Sequence, residues 1–305
     1  MNITSKHTLL ILAFLFLGMC SCSKDSDESD IASEGKKMEL QVVSSKALPG
    51  EAAFSAPVFF ASGSETGLYS NIWKATVGAN GRTDFSETRY YPSDDSRIYL
   101  RGFAPEGESV GISQRKYLID GNLDILITNE QSGSLTDMFW QTGKAFEFIH
   151  LLTQLRFRFR TDGEAEEEGW KPISLTVEGL QQEAILSLVD KTLSFSGDKK
   201  SISVFNHTQN TNSDSFGTDW SDISETTLVQ PGVPVSLTVV VEDAAGDQRR
   251  FDKLSVSFQE EDGTSLAGTS YLISVTLRQE DSASLNVAVA PWKIGASGGG
   301  EIEGE

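Results

Sequence analysis

The chain has 305 residues, enough for two domains with separate cores, and carries 25 basic against 44 acidic side chains for a net charge of −19. A surface that acidic repels phosphate backbones, which makes nucleic acid a poor partner. Its two cysteines, Cys20 and Cys22, both lie in the leader region, so disulfides do not hold the mature fold together.

Lys6 precedes an unbroken apolar run over residues 9–17. That run is too short to span a bilayer and suits the core of a signal peptide. A cysteine directly after such a core resembles a bacterial lipobox, in which the new N-terminal cysteine is acylated. Cys22 follows the small Ser21 that the signal peptidase prefers. Cys20, with Leu17 three residues before it, is the alternative. Residues 1–21 are therefore read as a lipoprotein signal peptide and 22–36 as an acidic flexible tether. The acidic run over 23–30 also resembles the export signal of Bacteroidetes surface lipoproteins.

Ordered structure begins at residues 38–44, where Leu40 and Val42 alternate with polar partners as on a half-buried strand. Pro49-Gly50 marks a turn. Strands are expected at 56–61 and 72–77. Asn80-Gly81 then signals a tight hairpin whose returning arm carries Phe85. Tyr90-Tyr91-Pro92, a strand at 98–105 and an apolar run at 124–128 follow. In residues 146–160, Leu155, Phe157 and Phe159 fall on one side and Arg156, Arg158 and Arg160 on the other, the period of a strand with a greasy and a basic face. The pattern breaks around His150, so it is one bent strand or two. The acidic stretch at 161–169 would not be accepted by a sheet interior and divides an N-terminal half, 37–160, from a C-terminal half, 170–305.

The C-terminal half alternates at Ile173, Leu175 and Val177, at Leu193 and Phe195, and from Val235 to Val241. The same period recurs from Leu254 to Phe258, from Tyr271 to Leu277 and from Leu285 to Val289. Short strands separated by polar turns predict an all-β fold of β-sandwich type. Between them, residues 207–224 form a long polar loop holding Phe216 and Trp220. The chain ends in a glycine-rich tail.

In order, these landmarks resemble the fimbrillin family, the subunits of Bacteroidales (type V) fimbriae. The resemblance is carried by the lipoprotein leader, a first strand ending near a basic residue, Tyr90-Tyr91-Pro92 and Phe103-Ala104-Pro105. It continues through Gly121-Asn122-Leu123-Asp124, then Phe146 and Phe148 before His150-Leu151, Gln154-Leu155, and the late Pro291-Trp292. It implies two tandem transthyretin-like β-sandwich domains and a non-enzymatic, lipid-anchored subunit that mediates adhesion. It further implies that a trypsin-like protease cuts between Lys46 and Ala47 and sheds the first strand with Leu40 and Val42. A neighbouring subunit, self or related, would then fill the open groove with its C-terminal strand. In this chain the donor plugs would be Ile294 and Ile302, or a longer segment including residues 285–289. The family site is most often Arg, so Lys46 is a departure. An uncut chain would keep its lipid and strand and act as an anchor or cap. The implied partners are other fimbrial subunits, the outer membrane through the lipid, and host or bacterial surface glycans or proteins. The alternative is a monomeric surface lipoprotein that binds a glycan or host ligand without polymerising.

Other motifs carry less. Residues 107–111 match G-x-S-x-G, but Pro105 sits two residues upstream, no helical period follows as a nucleophile elbow needs, and only His150 and His207 remain in the mature chain as partners, so no catalytic constellation can be assembled. Two mature histidines without cysteine point to no metal, and no cofactor is implied. His150, between apolar neighbours, suits a buried, hydrogen-bonded imidazole. Asp281-Ser282-Ala283 resembles a Bacteroidetes O-glycosylation sequon, with Ser282 as acceptor. Phe216 and Trp220 are the candidate ligand surface, because exposed aromatics stack on sugar rings; the competing reading folds the loop's aromatics back onto the sandwich.

Overall fold

The computed structural model describes residues 35–44, 57–78, 80–163, 169–206, 216–258, 260, 262–278 and 282–290. Its strands begin with β1 (Val42–Ser44), β2 (Val58–Glu65), β3 (Leu68–Val77), β4 (Thr83–Phe85), β5 (Ile98–Ala104) and β6 (Glu108–Gly111). Next come β7 (Gln114–Leu118), β8 (Leu126–Thr128), β9 (Gln131–Gly133), β10 (Phe146–His150), β11 (Thr153–Thr161) and β12 (Lys171–Ser187). The last six are β13 (Thr192–Asn206), β14 (Ser221–Val229), β15 (Val235–Glu242), β16 (Gln248–Val256), β17 (Ser270–Arg278) and β18 (Ser282–Ala290). The protein is all-β, as its alternating pattern predicts.

The first sheet has the order β1-β10-β8-β5-β2-β3-β4, with β9 also paired to β5. Val58 and Phe60 enter one core with Leu100, Phe146 and Phe148, while Phe59 and Ala61 enter another with Phe103 and Ile127. A strand buried on both faces reads as a continuous apolar run instead of an alternating one, which is why residues 57–61 show no period.

The other two sheets, β14-β11-β17-β18 and β16-β15-β12-β7-β6 with β13 on β12, form a sandwich. Leu155, Phe157 and Phe159 of β11 and Ile273 and Val275 of β17 share its core with Leu175 and Val177 of β12 and Leu237 and Val239 of β15. That core is continuous with the outward face of the first sheet. There the buried Arg101 donates from Nη1 to the carbonyls of Leu188 and Val189, both at 2.8 Å.

Three features differ from the sequence pattern. Residues 146–160 are two strands, one of the two readings the pattern allows, but they belong to different sheets: β10 pairs with β1 and β8, whereas β11 pairs with β14 and, in parallel, with β17. The change of sheet therefore comes at Leu151-Leu152, before the acidic stretch that the sequence offers as the divide. β7, from the first half, joins β12. It escapes an aliphatic search because its inward residues are Arg115 and Tyr117; Arg115 lies 5.5 Å from the Phe103 ring centroid, and the Tyr117 hydroxyl donates to the Pro105 carbonyl at 2.8 Å. Finally, β14 begins at Ser221, inside the stretch read as loop.

Candidate functional site

Residues 36–44 occupy a special place in the first sheet. Met38, Leu40 and Val42 point inward, each almost fully buried, in one cluster with Phe60, Phe139, Phe146 and Phe148. The intervening Glu39 and Gln41 stay near the surface, where Glu39 pairs with Arg82 at 2.8 Å. On one side β1 runs parallel to β10, Val42 opposite Phe146, and the Phe146 amide donates to the Gln41 carbonyl at 2.8 Å. On the other side the segment is antiparallel to residues 81–91. The Val42 amide donates to Gly81 (2.8 Å) and the Met38 amide to Arg89 (2.7 Å), while Leu40 and Lys36 accept from Thr83 (3.2 Å) and Tyr91 (2.9 Å).

Thr83 begins β4, the far end of the strand order, so residues 36–44 close the sheet on itself around its core. Without them, β10 and the 81–91 edge would face each other across an apolar groove.

Local sequence prepares both walls. The Asn80-Gly81 hairpin signal is realised: β3 and β4 pair antiparallel, with Gly81 at φ +77°. A Cβ there would lie 2.4 Å from the Val42 carbonyl oxygen, so only glycine lets the turn approach this closely. Tyr91 packs against Phe139 with centroids 5.9 Å apart, and its hydroxyl accepts from the Phe139 amide at 2.8 Å. Burial raises the Tyr91 pKa, offset in part by that hydrogen bond.

A second surface forms on the outer face of β11. The guanidinium carbons of Arg158 and Arg160 lie 4.4 and 4.3 Å from the Trp220 ring centroid. Arg158 Nε donates to Ser274 Oγ at 2.7 Å and Arg160 Nε to Thr276 Oγ1 at 3.2 Å. A cavity of about 400 Å³ opens here, rimmed also by Ser284 and Asn286 of β18. Phe216 is elsewhere: it stacks on Phe159 at 5.6 Å and 11°, against the sandwich core. The two aromatics of the candidate ligand surface therefore serve opposite faces of β11.

A family model described as fimbrillin-like matches residues 57–292. The chain belongs to the fimbrillin-like family. Among solved structures, a candidate cell adhesion protein of Bacteroides uniformis superposes with a TM-score of 0.60 at 17% identity, over 84% of this chain and 98% of that one. A candidate cell adhesion protein of Bacteroides ovatus gives 0.58 at 10% identity, over 86% and 99%. At such identities the likeness is one of fold. No curated protein matches.

Several residues expected to matter in this fimbrillin-like chain fall outside the described ones: Cys20, Cys22, Lys46, Ala47, Ile294 and Ile302. Leu40 and Val42 are the buried residues of the closing segment. Ser282 opens β18 opposite Arg278, and its side chain is outside the described set. Strand β18 has β17 as its partner and stands at the end of its sheet. Ser109 of the G-x-S-x-G match lies on the exposed strand β6, where its hydroxyl donates to the Gly111 carbonyl at 3.3 Å; strand β7 follows it, not a helix. His150 is 2.7 Å from Asp124 Oδ2 through Nδ1, with a buried side chain. Sequence reasoning missed Arg158 and Arg160 as surface-site residues, although their alternation with Phe157 and Phe159 had already placed them on the outer face.

Proposed function

We propose that this fimbrillin-like chain is a cell-surface fimbrial subunit, anchored by a lipid on Cys22 or Cys20 and assembled by strand addition. Cleavage between Lys46 and Ala47 releases the segment carrying Leu40 and Val42, and the C-terminal strand of a neighbouring subunit takes its place. One observation carries this reading: residues 36–44 are bonded along both edges and fill the core with alternate side chains, which is what an exchangeable strand requires.

The energetics favour refilling. Loss of the segment strips partners from the amides of Thr83, Tyr91 and Phe146 and the carbonyls of Gly81 and Arg89. Each such group, left buried and unpaired, costs roughly 1–3 kcal/mol. Each of the three apolar side chains lost contributes roughly 1.5–3 kcal/mol more. An incoming strand with apolar residues at the same spacing restores both. The donor is the tail with Ile294 and Ile302, or a longer piece that includes β18, whose place at the sheet edge lets it leave one partner only.

Adhesion is the role proposed for the assembled fibre, in keeping with the cell adhesion proteins of like fold. A chain that stays uncut at Lys46 would serve as an anchor or a monomeric surface binder, and the Arg158–Arg160–Trp220 surface is what that second reading would use. The two separate in a purified mature chain cut after Lys46. Assembly predicts a ladder of detergent-resistant oligomers after the cut and none before it; monomers in both samples would rule strand addition out.

A further inference from the structure

We infer that the Arg158–Arg160–Trp220 surface is a binding site for an acidic saccharide, one bearing carboxylate or sulfate. It supplies a ligand class to the adhesive half of the proposed function and is complete in the uncut chain, where β18 keeps its place beside β17.

The two arginines are held for the task. They alternate outward from β11, in register with Ser274 and Thr276 on the parallel neighbour β17. Each guanidinium is bonded through Nε to the hydroxyl beside it, at 2.7 and 3.2 Å, and each lies over the same indole ring. Packing against an aromatic face and one hydrogen bond fix the plane of a guanidinium while leaving its terminal nitrogens to donate. Arginine held in this way recognises planar or tetrahedral anions through paired hydrogen bonds.

Electrostatics point the same way. In a chain of net charge −19, neither arginine has a carboxylate partner among the described residues; Asp222, opposite Arg158 on β14, makes no ion pair with it. Two adjacent guanidiniums without a counter-ion attract an anion.

The rest of the cavity suits a sugar. Ser274 and Thr276 accept from the arginines through oxygen, so their O–H groups remain donors, and Asn286 adds an amide from β18. Such a rim meets ring hydroxyls, and the volume of about 400 Å³ is in the range of small-ligand sites. Trp220 is not an open platform for a neutral sugar, because guanidinium groups already lie over its ring. It is a positioning residue.

The test uses the uncut mature chain and isothermal titration calorimetry with three probes: trigalacturonic acid, its fully methyl-esterified form, and a sulfated glycosaminoglycan disaccharide. The expected result is binding of at least one acidic probe, weakened by added salt, with the ester at least about tenfold weaker, as loss of a charge-assisted contact predicts. Arg158→Gln and Arg160→Gln should each lower that affinity at least about tenfold with unchanged unfolding temperature, and Trp220→Leu should lower it while leaving both charges in place. Binding of trigalacturonic acid shows that a carboxylate suffices, whereas binding of the sulfated disaccharide alone, which carries a uronate carboxylate too, shows that sulfate is required. No binding of either acidic probe, equal binding of acid and ester, or full affinity in the arginine variants would overturn the assignment. Ladder formation after cleavage reads assembly separately, so either reading can fail alone.

Discussion

Gly81 and Leu40 sit on either side of the same seam, and each makes a different demand. Gly81 must adopt a left-handed backbone and must also have no Cβ, because the Val42 carbonyl would be 2.4 Å away. Replacing Gly81 with Ala is expected to destabilise the chain by about 1–3 kcal/mol, measured by chemical unfolding, whereas Gly111→Ala, with open space around it, should change little. Leu40 makes the opposite demand, for volume. Leu40→Ala removes a fully buried side chain from the closing segment and should cost about 2–5 kcal/mol in the uncut chain. After removal of the segment by cleavage the same substitution should have no effect, which distinguishes a stabilising plug from a general folding defect. At this scale the sequence was legible where a residue type has one physical use. Asn80-Gly81 announced its hairpin, and Leu40 and Val42 announced an inward face. Trp220 was ambiguous for a physical reason: an indole in a polar stretch either packs or binds, and its arginine partners are 60 or more positions away in the chain. Phe216, four residues earlier, went to the core by stacking on Phe159.

Among elements, strand β11 shows what alternation reveals and what it withholds. The period of two fixes which side chains are buried, and all of Leu155, Phe157 and Phe159 are. It does not name the neighbouring strand, since β14 and β17 arrive from far along the chain, and so the sheet to which β11 belongs was not readable. Strand β7 was hidden because its inward residues are an arginine and a tyrosine, whose burial depends on Phe103 and Pro105 of another segment.

The segment between β9 and β10 adds a pH dependence. Asp95 is held below the ordinary aspartate range by the Thr136 and Ser134 hydroxyls and the Thr136 amide, and Asp137 by Lys144 and Arg97. Because both folded values are depressed, their stabilising contribution is present above the ordinary value of 3.8 and is lost as pH falls through the folded values. The unfolding temperature should therefore drop in that acidic window, and drop less in the double variant Asp95→Asn, Asp137→Asn. An identical acid profile in that variant would remove these two carboxylates from the account.

At the scale of the whole molecule, the described residues form three sheets around two cores, and the first sheet's core is closed by a segment that the proposed cut would remove. The sandwich of β6, β7 and β11–β18 is completed by strands joined through internal connections of the chain. The first sheet is completed by residues 36–44, which lead into the stretch carrying Lys46. This asymmetry makes the N-terminal sheet the acceptor in the proposed assembly.

The most direct test is the N-terminal mass of the mature protein taken from intact cells. Assembly by strand addition predicts a chain that begins at Ala47 in the polymeric fraction, with the segment carrying Leu40 and Val42 gone. A polymeric fraction in which every chain still begins at an acylated Cys22 or Cys20 would contradict it.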